Sequence, residues 1–197
     1  MLKIGLTGGI GSGKSIVGKA FEMMEIPVYV ADFEAKRLMI SNVELRSLLI
    51  SRFGDQIYDV NFNLNRKLLA EIVFNDSEAL KDINSIVHPA VRKDFIGWCE
   101  QHSQTPYVIQ ESAIIFESGL YKNFDKIITV TAEEEIRIQR VIERDSMSRE
   151  LIMERMKSQL SESVRIEKAD FVIYNNTELI LPQIERIDKQ IRSFVEK

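Results

Sequence analysis

Five of the nine glycines in this chain, Gly5, Gly8, Gly9, Gly11 and Gly13, fall within its first 13 residues. Glycine is that dense only where the backbone must adopt conformations closed to other residues or be approached closely. The cluster lies between an apolar segment, residues 2–7, that reads as a buried strand and a segment, residues 14–24, that reads as a helix. Within it, Gly8-Gly9-Ile10-Gly11-Ser12-Gly13-Lys14-Ser15 matches G-x-x-x-x-G-K-[ST] in the strand-to-helix setting that pattern requires. The glycines let successive N–H groups turn inward around phosphate oxygens, and the helix N-terminus adds partial positive charge. Gly9, Ile10, Gly11, Ser12, Gly13, Lys14, Ser15 and Ile16 are therefore expected to hold a nucleoside triphosphate. Lys14 would reach the β- and γ-phosphates and the Ser15 hydroxyl would ligate Mg²⁺. Ile16 offers an N–H but no hydroxyl. The loop implies triphosphate binding and leaves open what is done with the triphosphate.

A strand this apolar belongs in a parallel sheet covered on both faces. Residues 27–30, 107–110, 126–130 and 171–174 read as further strands, and residues 33–102 are mostly helical. In that block His88-Pro89 is expected to end a helix that starts near Ser77. Thr131-Ala132-Glu133-Glu134 reads as a capping box opening a helix to about Arg144, and another helix is expected over residues 148–163. A closing helix would bury Ile184, Ile187, Ile191 and Phe194 or Val195, with Pro182 in its first turn. Strands and helices alternate at both ends around a helical block of about 70 residues, so the expected fold is α/β with a helical insert after the second strand. The expected division is a core of residues 1–31 and 104–197 and an insert of residues 32–103. Ligands of such sheets bind at the carboxyl ends of the strands.

Several side chains near that edge are candidates for chemistry. Asp32 follows the second strand, where a carboxylate could accept a proton from an acceptor hydroxyl or hold Mg²⁺ through water; it could equally N-cap the next helix. Arg137, Arg140 and Arg144 share one helical face. Beside a phosphate loop such a row could neutralise a transferring phosphoryl group; otherwise it is a solvated, salt-bridged face. Arg137 is expected nearer solvent than Arg140. With Arg149, Arg155 and Arg165, residues 137–165 read as a movable basic cover. Glu111 and Glu117 flank a middle strand; a magnesium-side carboxylate is one reading of Glu111, and a polar strand end is the preferred one. His88 reads as structural or substrate-contacting, since no metal-ligand cluster accompanies it.

Composition narrows the field. At 197 residues the chain can bury about 70% of its unfolded surface, enough for a core domain with an insert. No apolar run approaches the roughly 18 residues needed to cross a bilayer, and the N-terminus does not read as a signal peptide, so no membrane association is expected. A net charge of −4 disfavours nucleic-acid binding. Cys99 is the single cysteine, which points to a reducing compartment and a cytoplasmic location, and it reads as a packed thiol. The oligomeric state is left open.

The ordered residues now resemble a family, the dephospho-coenzyme A kinases, nearly end to end. The resemblance rests on residues 6–15, Ala31-Asp32, Leu64-Asn65-Arg66 with Leu69 and Phe74, and His88-Pro89. It continues through Ile114-Ile115-Phe116-Glu117, Gln139-Arg140, Arg144-Asp145, Gln159, residues 169–173 and Asn175-Asn176. It implies a P-loop NTPase-type parallel sheet flanked by helices, with a helical acceptor-binding insert and a helical lid. The implied reaction is transfer of the ATP γ-phosphoryl group to the ribose 3′-hydroxyl of dephospho-CoA. Asp32 would be the base, Lys14, Arg140 and Arg144 catalytic, Asn175 near the adenine, and Arg66 and His88 part of the acceptor site. The chain departs from the family pattern at Ala113, usually Pro, and Ile16, usually Thr; neither change removes a group the chemistry needs.

Other readings of the same loop are a small-metabolite or nucleoside monophosphate kinase, a GTP-dependent switch and a non-catalytic nucleotide-binding regulator. The switch lacks a guanine-reading N-K-x-D segment, and its D-x-x-G match, Asp94 to Gly97, falls inside an expected helix. The helical insert separates the kinases, because it carries the acceptor site.

Overall fold

A computed structural model describes residues 1–195; the Phe74 side chain, part of the family resemblance, and that of Asn75 lie outside the described residues. The described chain forms two compact units, residues 1–30 with 102–195 and residues 31–101.

The first unit is built on one parallel sheet in the order β2-β3-β1-β4-β5. Its strands are β1 (Leu2–Gly8), β2 (Val28–Val30), β3 (Tyr107–Glu111), β4 (Lys126–Thr131) and β5 (Phe171–Tyr174). The central β1 pairs Leu6 with Glu111 of β3 and with Ile128 of β4, so β3 ends beside Leu6 while β1 and β4 run two and three residues further. Helix α1 (Lys14–Met23) leaves the glycine loop and packs Val17 and Phe21 against Ile4, Leu6, Ile109 and Ile128. The same cluster takes Ile184, Ile187 and Ile191 from the C-terminal α9 (Leu181–Val195). The expectation for Phe194 and Val195 fails: they are 47% and 39% exposed, because the buried stripe ends at Ile191.

The second unit contains α2 (Ala31–Ser41), α3 (Val43–Phe53), α4 (Arg66–Asn75) and α5 (Ser77–Gln101). Asn42 and Asn65 cap α3 and α4, accepting from the N–H of Leu45 at 3.0 Å and of Leu68 at 3.1 Å. Pro89 does not end a helix but lies inside α5. It removes one backbone bond. However, Val87, Val91, Phe95 and Cys99 recur every four residues on one buried face through it, and that packing carries the helix across.

Two further local expectations are corrected in the first unit. Thr131 is the last residue of β4, paired with Tyr174, so it cannot cap; α6 runs over Glu134–Asp145, and its N-cap Glu133 makes no side-chain cap bond. The Asn176 side chain accepts from the Glu133 N–H instead, at 2.7 Å. The helix expected over 148–163 is split into α7 (Arg149–Lys157) and α8 (Glu162–Lys168). The break frees Leu160 to donate its N–H to Glu117 at 3.1 Å.

Candidate functional site

The chain leaves β1 through Gly8 and enters α1 at Lys14. Gly11 and Gly13 adopt φ +77 and +93, left-handed values that a side chain would strain, and Gly13 is the N-cap of α1. The loop is tied across itself by Ser12 N–H donating to Gly9 O at 3.1 Å. Ile16 and Val17 both donate to Gly13 O, which starts α1 immediately behind the loop.

At the exit of the loop Lys14 and Ser15 converge on one carboxylate. Glu111, at the end of β3 and 5% exposed, meets Lys14 Nζ at 3.1 Å and accepts from Ser15 Oγ at 3.3 Å. A hydroxyl and a carboxylate are oxygen donors of the kind a hard dication takes, with water and phosphate filling the rest of its shell. The pair thus fits Mg²⁺. The strand-end reading preferred for Glu111 is incomplete. It is a strand-end residue, but its register beside Leu6 brings it to Lys14 and Ser15. Among the described residues, no group of three or more His, Cys, Asp or Glu is arranged to hold a metal by itself.

Arg140 and Asn175 approach the same end. Asn175, buried just past β5, donates Nδ2 to Ser12 O at 2.8 Å and fills the space a side chain at Gly13 would need. Arg140 donates Nη2 to Asn176 O at 3.3 Å, while its Nη1 is buried without a hydrogen-bond partner. That nitrogen lies 4.0 Å from where a Gly13 Cβ would stand. A buried unpaired donor beside a phosphate-binding turn is ready for an anionic oxygen. Arg144 is elsewhere: its side chain is 65% exposed and bonded through Nε and Nη2 to Asp145 at 2.8 and 2.7 Å. Those bonds raise its pKa above the ordinary arginine value.

Arg137 overturns an expectation. It was expected nearer solvent, and it is 5% exposed. Its Nε donates to Ile10 O at 2.9 Å and its Nη1 to Glu162 at 2.7 Å. Burial pushes its pKa down, against the opposing pull of Glu162. Glu162 also accepts from Arg165, 1% exposed, at 2.7 Å, and Arg165 donates Nη2 to Leu160 O. The arginines of residues 137–165 are therefore not one basic cover. Arg137 and Arg165 are internal, Arg140 is half-buried, and Arg144 and Arg149 pair with carboxylates at the surface.

Asp32 stands exposed in the first turn of α2, which begins at Ala31, so the N-cap alternative does not hold. Its charge suits the helix N-terminus. Arg66 is the exposed first residue of α4, and His88 lies half-buried on α5. Burial, with Arg92 adding to it, holds the His88 imidazole below its ordinary value of 6.5.

Comparison with known proteins follows the same line. The dephospho-CoA kinase family model matches residues 2–180. The chain is 42% identical to a dephospho-CoA kinase of Fusobacterium nucleatum over 193 residues, covering 98% of this chain and 96% of that one. It is 39% identical to one of Bacteroides fragilis over 184 residues, covering 93% and 89%. A solved dephospho-CoA kinase from Campylobacter jejuni superposes with a TM-score of 0.72 at 26% identity, covering 98% of each chain.

Proposed function

The chain belongs to the dephospho-CoA kinase family, and from that premise, as a kinase that phosphorylates dephospho-CoA in coenzyme A biosynthesis, we propose how its residues divide the work. The γ-phosphoryl group of ATP passes to the ribose 3′-hydroxyl of dephospho-CoA. A new O–P bond forms at the 3′-oxygen, the bond to the β,γ-bridging oxygen breaks, and ADP leaves. The observation that carries this reading is the convergence of Lys14, Ser15 and Glu111, with the unpaired Arg140 Nη1, at the exit of the loop.

The loop N–H groups of Gly9, Gly11, Gly13, Lys14 and Ser15 hold the phosphates, those of Ile10, Ser12 and Ile16 being bonded to Gln159 and to the Gly9 and Gly13 carbonyls, and Lys14 follows the charge that develops between the β- and γ-positions. Ser15 and Glu111 would hold Mg²⁺, which when bound neutralises phosphate charge. Arg140 meets the oxygens of the transferring group, and Arg144 supports it after leaving Asp145. Asn175 lies toward the adenine while bracing Ser12. Asp32, two residues beyond β2 where the chain leaves the sheet edge, takes the 3′-hydroxyl proton. Residues 31–101 bind the acceptor, with Arg66 and His88 contacting dephospho-CoA. A cytoplasmic location fits the single buried cysteine, Cys99. Among the described residues no helix is long and apolar enough to cross a membrane.

The test is an acceptor screen with ATP and Mg²⁺, scored by product mass. Dephospho-CoA is expected to gain one phosphate on its ribose, releasing one ADP per product. Faster turnover of a nucleoside monophosphate or a simple sugar would overturn the acceptor assignment. In the same assay Asp32→Asn is expected to lose about 10²–10⁴-fold in turnover, the usual contribution of a general base, with ATP affinity retained.

A further inference from the structure

We propose that Arg137 and Gln159 are positioning residues for phosphoryl transfer, acting together by clamping the backbone of Ile10 at the entrance of the phosphate loop. The proposal rests on the kinase reading above and adds to it two residues that touch neither substrate.

Ile10 is held in three ways. Its N–H donates to Gln159 Oε1 at 2.9 Å. Its carbonyl accepts from Arg137 Nε at 2.9 Å. Its side chain packs against the buried cluster of Ile138, Val141 and Ile152 on α6 and α7. The N–H and the carbonyl belong to consecutive peptide planes, so two planes are fixed at once. The next residue, Gly11, is the one that turns through φ +77. The orientation of those planes sets where the following N–H groups point, and those are the groups that receive phosphate.

The packing explains why the loop is glycine on either side of Ile10. A Cβ at Gly9 would collide with the Arg137 guanidinium, and one at Gly11 with the Arg137 backbone carbonyl. Arg137 is in turn fixed by Glu162, which also receives Arg165. The contacts cross 127 and 149 residues of sequence, so they tie α6 and the α7–α8 connection directly to the loop. Displacement of a reacting group by about 1 Å can cost roughly 10²-fold in rate. A clamp that fixes the direction of the loop N–H groups therefore acts on turnover, where a small displacement is costly, more than on ATP binding.

The test uses the whole enzyme with ATP and dephospho-CoA, each variant assayed well below its own melting midpoint. Arg137→Met is expected to lose about 10- to 100-fold in kcat, with the KM for ATP changing by less than about threefold. Gln159→Met is expected to show the same pattern with a smaller loss. Arg137→Lys should fall between, because one ammonium can reach Ile10 O or Glu162 but lacks the planar fork that serves both. The double variant should lose less than the product of the single losses, since both act through one residue. Full kcat in Arg137→Met and Gln159→Met, or a double variant whose loss equals that product, would overturn the clamp. Should Arg137→Met fail to fold, Arg137→Lys and Gln159→Met, which leave the Glu162–Arg165 pair intact, carry the same test. Wild-type inactivity toward dephospho-CoA would instead count against the function, because the clamp is judged on variant-to-wild-type ratios with whichever acceptor is turned over.

Discussion

The two ends of the phosphate loop are built differently. At the entrance, Arg137 and Gln159 bond directly to the backbone of Ile10, and the arginine is almost fully buried. At the exit, Arg140 makes no bond to the loop and keeps a buried nitrogen unpaired beside Gly13, while Lys14, with three donors, has one carboxylate partner in Glu111. Leaving a buried donor unpaired costs about 1–3 kcal/mol, a cost usually retained where a ligand supplies the missing partner. On the proposed function, the entrance is scaffolding that uses charge, and the exit is charge held for a ligand. Two arginines one helical turn apart on α6 fall on opposite sides of that division.

The comparison can be broken from either end. The largest effect belongs to the exit: Lys14→Ala is expected to lower turnover by about 10²–10³-fold, the scale of one preorganised electrostatic contact. A circular-dichroism melt beside the assay separates chemistry from stability, and a variant that loses melting temperature but turns over normally would make Lys14 a structural cation. At the entrance, beside the effect on turnover, there is one on folding. Glu162→Ala leaves Arg137 and Arg165 without their shared carboxylate and is expected to cost about 2 kcal/mol in denaturant unfolding, below the roughly 3–5 kcal/mol of a fully buried pair because Glu162 is partly exposed. Unchanged stability would show that the Ile10 and Leu160 carbonyls, with Glu117 at 3.8 Å from Arg165, suffice to hold the buried arginines.

The smallest effect lies away from the loop. His88 is depressed below 6.5 by burial, so the folded state binds fewer protons than the unfolded chain once the pH drops below that value. Its contribution to stability is present above pH 6.5 and lost as the pH falls through the folded value. His88→Asn should flatten that part of the stability curve, measured by urea unfolding at pH 7.5 and 5.5. A variant with the wild-type slope would place the titration elsewhere.

The exit was legible in the sequence because its signal is local. Gly8 to Ser15 carry the spacing, the strand before them and the helix after them. The five strands were legible for the same reason, each a short apolar run in a chain that alternates with helices. Glu111 was half legible: its place at a strand end could be read, but its pairing with Lys14 depends on β3 lying beside β1. The entrance could not be read. Helical spacing puts Arg137, Arg140 and Arg144 on one side of α6 but does not say how deeply each is covered, and Arg137 is covered by a loop 127 residues away. Pro89 and Thr131 misled for a related reason. Packing along α5 overrides a local helix breaker, and β4 takes the threonine that would otherwise cap α6.

The difference between the two ends rests most directly on Arg140, whose variants should touch chemistry and little else. Arg140→Ala loses one 3.3 Å bond to Asn176 O but also removes the unpaired buried nitrogen, so its melting temperature should be at or above the wild-type value. Steady-state turnover of ATP and dephospho-CoA, with nucleotide affinities measured by calorimetry, is the decisive measurement. The account predicts a fall in kcat of at least about tenfold, with ATP and ADP affinities within about threefold of wild type, because the contact is made mainly in the transition state. Arg140→Lys should remain impaired, since it keeps the charge without the planar fork. An Arg140→Ala enzyme that turns over like wild type would contradict the account and return the exit arginine to a solvated helical face.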